Sequence, residues 1–163
     1  MSEQSSRELL ARLVGFATVS RDSNLELIGF IRDYLASHGV HSELIYNPER
    51  TKANLFASIG PEDRGGVVLS GHTDVVPVDG QAWSVEPFVL SEREGRLYGR
   101  GTADMKGFIA SVLAAVPGLT RRRLRLPVHL AFSYDEEVGC LGVRPMLERM
   151  QQRPHKPLLC LIG

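Results

Sequence analysis

Residues 131–139 read AFSYDEEVG, an apolar segment that ends in the adjacent acidic residues Glu136 and Glu137. The apolar half is typical of a buried β-strand. Two earlier segments end in polar residues in a similar way, one at His72 and Asp74 and the other at Asp104. Imidazole and carboxylate groups that converge at the ends of sheet elements are the ligands that one or two zinc-like divalent ions bind. The pattern therefore indicates metal-dependent hydrolysis.

The composition limits the class of protein and its partners. The 163 residues contain 19 Lys and Arg against 19 Asp and Glu, and 43% are hydrophobic. These values fit one globular domain and give no electrostatic argument for binding nucleic acid or a membrane surface. The first residues lack the features of a signal peptide, and no apolar run approaches membrane-spanning length. We therefore predict a cytoplasmic protein with a small-molecule partner.

Helical and strand patterns alternate along the chain. Helices are predicted over residues 6–16, 25–37, 106–116 and 143–150, and strands over residues 42–46, 54–59, 66–70, 128–134 and 158–162. Gly39 is expected to end the second helix, and Pro117 with Gly118 the third. This alternation favours an α/β fold with a mostly parallel or mixed central sheet.

Residues 69–77, LSGHTDVVP, place a histidine directly after a predicted buried strand. In an extended chain, residues two apart lie on the same side, so the Asp74 carboxylate can reach the His72 imidazole. A metal-bound histidine commonly donates its other ring proton to such a carboxylate. A His–Asp pair in a surface turn is an alternative that this tripeptide alone does not exclude.

Residues 97–107, LYGRGTADMKG, place glycines just before an acidic residue at a predicted helix start. Asp104 there is either a simple helix N-cap or, with His72 nearby, a metal ligand whose two oxygens can bridge two ions. The Gly-Arg-Gly sequence lacks the Gly-Lys-Ser/Thr ending of a phosphate-binding loop. Nucleotide binding is therefore not predicted.

The adjacent glutamates suggest a division of roles. If Glu136 and Glu137 continue an extended strand, their side chains point in opposite directions, so one can bind a metal while the other faces substrate. A bound ion lowers the pKa of water from ~16 to ~7, and a free carboxylate can take the proton and pass it to the leaving amine. A charged strand end that faces water is the alternative, and the pattern alone does not decide which glutamate has which role.

The three motifs together resemble a known family. Residues 71–77 (GHTDVVP), 99–107 (GRGTADMKG) and 135–139 (DEEVG) are similar to the N-terminal half of the catalytic domain in the aminoacylase and carboxypeptidase family of cocatalytic zinc hydrolases. The resemblance implies a three-layer αβα domain. It also implies a cis peptide bond between Asp104 and Met105.

The resemblance also implies a role for each site residue. His72 would bind one of two divalent ions, zinc or alternatively cobalt, and Asp74 would orient its imidazole. Asp104 would be shared by both ions, Glu137 would bind the other ion, and Glu136 would be the general base. The assignment of the two glutamates rests on the family and not on the pattern of residues.

The same resemblance implies a substrate and a domain organisation. Residues 83–88 (WSVEPF) and 101–108 (GTADMKGF) favour N-acetylornithine, hydrolysed to ornithine and acetate, with succinyl-diaminopimelate or another N-acyl amino acid as the alternative. Family members continue with a further carboxylate ligand, a lid and dimerisation domain and a last histidine. Residues 1–163 would then be the N-terminal part of a homodimeric enzyme. On their own they would form a folded but inactive module.

Overall fold

A mixed β-sheet with helices on both faces forms the body of the structure, a computed structural model that describes residues 4–163. The first three residues lie outside the described part. The helices are α1 (Ser6–Val14), α2 (Leu25–Ser37), α3 (Lys106–Thr120) and α4 (Val143–Gln151). The strands are β1 (Ser42–Tyr46), β2 (Ala53–Ile59), β3 (Val67–His72), β4 (Ser91–Arg93), β5 (Arg96–Tyr98), β6 (Val128–Ser133) and β7 (Leu159–Ile162). No helix in this part of the chain combines the length and apolarity needed to cross a bilayer.

The strand order of the main sheet is β1-β2-β6-β3-β7. β1, β2 and β6 pair antiparallel, whereas β6, β3 and β7 pair parallel, so the sheet is mixed. The last residue of β3, His72, lies opposite Ser133, the last residue of β6. Because the carboxyl ends of parallel strands meet at one edge of a sheet, the chain segments that follow β3 and β6 emerge side by side.

The two faces of the sheet have separate cores. Leu55, Leu130 and Phe132 are fully buried with apolar residues of α1, α2 and α3 on one face. Their strand neighbours Phe56 and Ala131 point the other way and pack with Met146 of α4. This alternation is the period of two of a β-strand, and it places helices on both sides of the sheet. The predicted three-layer αβα architecture is confirmed.

The prediction that Pro117 and Gly118 end the third helix is wrong, because α3 continues to Thr120. Proline has no N–H to donate to the carbonyl four residues earlier, which is that of Leu113. The hydroxyl of Tyr34 in α2 donates to this carbonyl at 3.1 Å. A side chain from another helix thus satisfies the acceptor that the proline leaves unpaired. The other predicted helices and strands are present, with ends that move by one or two residues.

The sequence prediction missed a two-stranded hairpin. β4 and β5 pair antiparallel, with Arg93 opposite Arg96. The two residues between them, Glu94 and Gly95, both have left-handed backbone, with φ of 51° and 71°. Positive φ at both central residues is the geometry of a tight hairpin turn, and glycine at the second position was its only local signal.

The edge strand β7 generates a prediction about association. Within the described residues it pairs only with β3. Ile162 at its end is 78% exposed, and Leu158 directly before it is 70% exposed. An open strand edge with apolar side chains favours pairing with another chain. We expect residues 1–163 to self-associate at micromolar concentration, and Ile162→Lys to raise the monomer fraction in sedimentation velocity.

The control for this prediction is Val89→Lys, which changes a valine that is 56% exposed and lies outside β7. It should leave the association unchanged. A wild-type chain that stays monomeric over the whole concentration range would contradict the prediction.

Candidate metal centre

The carboxyl ends of β3 and β6 bring the predicted site residues together. His72 is buried, and its Nε2 lies 2.9 Å from Oδ1 of Asp104 and 3.8 Å from Oε2 of Glu136. One ligand atom each of His72, Glu136 and Glu137 lies within 4.8 Å of the other two. Residues from three separate motifs thus form one cluster, although 65 positions separate the first from the last.

Asp104 does not cap α3. The N-cap residue of that helix is Met105, and no side-chain hydrogen bond caps the helix. The Asp104 carboxylate is 75% exposed and is directed to the His72 imidazole instead. The peptide bond between Asp104 and Met105 is cis, as the resemblance implies. Sδ of Met105 accepts the backbone N–H of His72 at 3.1 Å, which connects the start of α3 to the end of β3.

The expectation that Glu136 and Glu137 point in opposite directions is wrong. β6 ends at Ser133, and Asp135 has a left-handed backbone with φ of 54°. The chain therefore turns before the glutamates, and the Glu136 carbonyl accepts the N–H of Cys140 at 2.9 Å. In this turn both carboxylates approach His72, whereas an extended strand would have separated them.

Asp74 contacts His72 as predicted, but mainly through its backbone. Nδ1 of His72 lies 2.9 Å from the Asp74 carbonyl oxygen and 3.6 Å from its carboxylate. The carboxylate accepts the backbone N–H groups of Glu136 at 3.1 Å and Glu137 at 3.3 Å. It also accepts the hydroxyl of Ser20 at 2.7 Å. Asp74 therefore connects the end of β3 to the turn that bears both glutamates.

The electrostatics of the cluster follow from these contacts. Burial lowers the pKa of His72, but the carboxylates of Asp74 and Asp104 outweigh burial and raise this pKa to about 9. Burial raises the pKa of the Asp74 carboxyl, but hydrogen bonds from His72 and Ser20 outweigh it and lower that pKa. The pKa of Glu137 is raised by burial and then by the charge of Asp104.

The residues present fit a divalent cation. Imidazole nitrogen and carboxylate oxygens are the ligands that zinc and related ions prefer. The raised pKa of Glu137 reflects burial together with the repulsion of nearby carboxylates, and a cation among these oxygens would relieve the repulsion. The backbone contact at Nδ1 leaves Nε2 of His72 as the nitrogen directed to the acidic cluster.

A buried lysine beside the cluster was missed by sequence reasoning. Lys106 is fully buried at the start of α3, and its Nζ donates to the carbonyl of Phe16 at 2.7 Å. Burial lowers the pKa of Lys106 to about 7, and the negative charge of Asp74 acts in the opposite direction. Gly101 has φ of 82°, and a Cβ there would lie 3.1 Å from Cδ of Lys106. Only the position of this lysine before an apolar helix indicated burial.

A relative of known name matches most of the chain. Acetylornithine deacetylase of Pasteurella multocida (strain Pm70) is 44% identical over 133 residues, which are 81% of this chain and 35% of the relative. The chain thus spans about a third of the length of this curated relative.

Solved structures share the fold at low sequence identity. Human carnosine dipeptidase 1 superposes with a TM-score of 0.84 at 22% identity, over 97% of this chain and 38% of that one. A dinuclear metal-binding peptidase of the M20 family from Bacillus subtilis superposes with a TM-score of 0.62 at 24% identity, over 88% of this chain and 38% of that one. These likenesses agree with the three-layer architecture described above.

The sequence profile of peptidase family M20/M25/M40 matches residues 68–163. This stretch includes all residues of the cluster, which are His72, Asp104, Glu136 and Glu137. The match covers more than half of the chain and agrees with the family resemblance of its three motifs. The chain therefore belongs to peptidase family M20/M25/M40.

Proposed function

We propose that the complete protein hydrolyses the amide bond of an N-acyl amino acid, with N-acetylornithine as the substrate and ornithine and acetate as the products. The observation behind the proposal is the convergence of His72, Glu136 and Glu137 at the ends of β3 and β6. The 44% identity to a relative named acetylornithine deacetylase supports the choice of substrate. Such a reaction would serve arginine biosynthesis.

The proposed site holds two divalent ions, zinc or cobalt. His72 would be a ligand of one ion, Glu137 of the other, and the carboxylate of Asp104 would be shared. The dinuclear peptidase from Bacillus subtilis, which has the same fold, supports the number of ions. When bound, the ions would polarise the scissile carbonyl and lower the pKa of a water molecule.

The chain's own residues would position groups and move the proton. Glu136 would accept a proton from water and donate it to the leaving amine, and its side chain is 43% exposed and so accessible to substrate. Its backbone N–H is fixed by Asp74 at 3.1 Å, which limits the direction of the side chain. Asp74 would also orient the imidazole of His72 through its carbonyl and carboxylate oxygens.

The proposed organisation rests on the family resemblance of the three motifs and is supported by the chain spanning 35% of the length of its curated relative. Residues 1–163 would be the N-terminal part of a catalytic domain that is completed by a lid and dimerisation domain and a C-terminal segment. These would supply one more ligand for each ion, since catalytic zinc normally has three protein ligands and water. Residues 1–163 alone would then be inactive. A homodimer and a cytoplasmic location stay predictions.

The experiment that tests the proposal is a deacylase assay of the complete protein with added zinc or cobalt. N-acetylornithine and N-succinyl-diaminopimelate are compared as substrates, with residues 1–163 alone as a second sample. We expect the complete protein to prefer N-acetylornithine and residues 1–163 to show no turnover. A preference for the succinyl substrate would replace the proposed substrate, and turnover by residues 1–163 would contradict the proposed organisation.

The raised pKa of His72 predicts that metal binding is coupled to proton release. Because this pKa is about 9 without metal, the imidazole is protonated at neutral pH and must lose a proton to bind an ion. The apparent affinity for zinc should therefore rise about tenfold per pH unit below about pH 9 and level off above it. Calorimetry in buffers of different ionisation enthalpy should count about one proton released from His72.

The control for proton release is His129→Gln, because His129 contacts Ser58 and Phe56 and not the cluster. This variant should release the same number of protons as the wild type. Affinity that does not change between pH 7 and about pH 9 would contradict the prediction.

The proposed roles of the two glutamates predict different losses. In the complete protein, Glu136→Gln should retain metal and lose ~10²–10⁴ in kcat, because only the proton acceptor is altered. Glu137→Gln should lose metal, measured by elemental analysis after dialysis. If Glu136→Gln loses metal and Glu137→Gln retains it, the two roles must be exchanged.

A further inference from the structure

Residues 16–20, here called the 16–20 segment, lie alongside the chain that follows β3. The N–H of Val75 donates to the carbonyl of Thr18 at 2.9 Å, and the N–H of Ser20 donates to the carbonyl of Val75 at 3.2 Å. The hydroxyl of Ser20 then reaches the carboxylate of Asp74 at 2.7 Å. The segment therefore supports the part of the chain that contains Asp74.

A lysine connects this segment to the turn after β6. Lys52 lies just before β2, and its side chain is 14% exposed. Its Nζ donates to the carbonyl oxygen of Ser20 and to the carboxylate of Asp135, the latter at 2.6 Å. The Asp135 side chain is 18% exposed, so both charges are largely removed from water. The pair is therefore screened less by solvent and salt than a surface ion pair.

These contacts close a ring. Lys52 contacts Ser20, Ser20 contacts Asp74, Asp74 accepts the N–H of Glu136, and Asp135 precedes Glu136 and returns to Lys52. Every link in the ring except the peptide bond is a hydrogen bond, and all four of these bonds involve a charged group. Hydrogen bonds to charged groups are shorter and stronger than neutral ones. Through Asp74, the ring accepts the backbone N–H groups of both glutamates.

We propose that Lys52 is a positioning residue, which closes this ring and thereby holds Glu136 and Glu137 toward His72. The proposal rests on the proposed metal centre for its functional meaning, although the contacts themselves need no metal. The chain changes direction at Asp135, which has a left-handed backbone with φ of 54° and directly precedes both glutamates. The ammonium group of Lys52 fixes the Asp135 side chain, and so the turn and both glutamates.

A purely stabilising ion pair is the competing explanation. In that case, removing the Lys52 ammonium would lower the unfolding temperature but leave the geometry of the folded site unchanged. A positioning role requires a local effect at the glutamates in protein that remains folded. The amide protons of Glu136 and Glu137 report this effect, because both are donated to the carboxylate of Asp74.

The first experiment is native-state hydrogen exchange of the complete protein without metal. Lys52→Met removes the ammonium group and keeps the length of the side chain, and it should speed exchange at Glu136 and Glu137 by about tenfold or more. Asp135→Asn, which breaks the ion pair from the other side, should have the same effect. The control Lys156→Met removes an exposed lysine whose ammonium group donates to the carbonyls of Gln151 and Arg153, and it should change neither amide.

The double variant Lys52→Met with Asp135→Asn tests whether the two residues act through each other. If they form one unit, the double variant should exchange no faster than the more affected single variant. Effects that add independently would overturn the ring. Unchanged exchange at Glu136 and Glu137 in folded Lys52→Met and Asp135→Asn would also overturn it.

The second experiment measures zinc affinity by calorimetry, which separates this inference from the proposed function. Lys52→Met should weaken binding by about 10–100-fold, as expected when a supporting contact behind a ligand is removed. If the wild type binds zinc and Lys52→Met binds it equally well, the positioning role is wrong. If the wild type binds no zinc, the proposed function fails, and the exchange experiment still decides whether Lys52 holds the turn.

Discussion

The carboxylate of Asp74 is the contact on which the arrangement of the site depends. The backbone ladder between β3 and β6 ends at the pair His72 and Ser133, with one further bond from the N–H of Thr73 to the Ser133 carbonyl. Beyond these residues β3 and β6 no longer pair, and side-chain hydrogen bonds connect the two segments. A carboxylate that accepts two backbone N–H groups from the opposite turn replaces the missing ladder. Because Asp74 is buried, its negative charge also requires these donors.

The sequence predicted most of the elements and all of the residues in the cluster, because both depend on local patterns. The polar residues at the end of β3, before α3 and after β6, which are His72, Asp104 and the two glutamates, can be read from the apolar segments beside them. The supporting contacts could not be predicted in this way. Ser20 and Asp74 are 54 residues apart, and Lys52 and Asp135 are 83 apart. Nothing local to a serine after a helix or a lysine before a strand indicates such a partner.

The errors have a common physical cause. The direction of the glutamates depends on the left-handed backbone at Asp135, and the continuation of α3 past Pro117 depends on the hydroxyl of Tyr34. In both places a contact between distant parts of the chain overrides the local preference. An extended strand end and a proline stop are the favoured local outcomes. At the glutamates the overriding contact is the Asp74 carboxylate, which accepts their backbone N–H groups. In α3 it is the Tyr34 hydroxyl, which donates to the Leu113 carbonyl.

The site lies at the carboxyl ends of β3 and β6, which are interior strands of the sheet, whereas the open edge is formed by β7. α3 packs on the face of the sheet that α1 and α2 also cover. β7 contributes no residue to the cluster. Pairing of another strand with β7 would therefore leave the contacts of Asp74 and Lys52 intact. A site on rigid central elements retains its geometry when the periphery changes, which is what catalysis by fixed side chains requires.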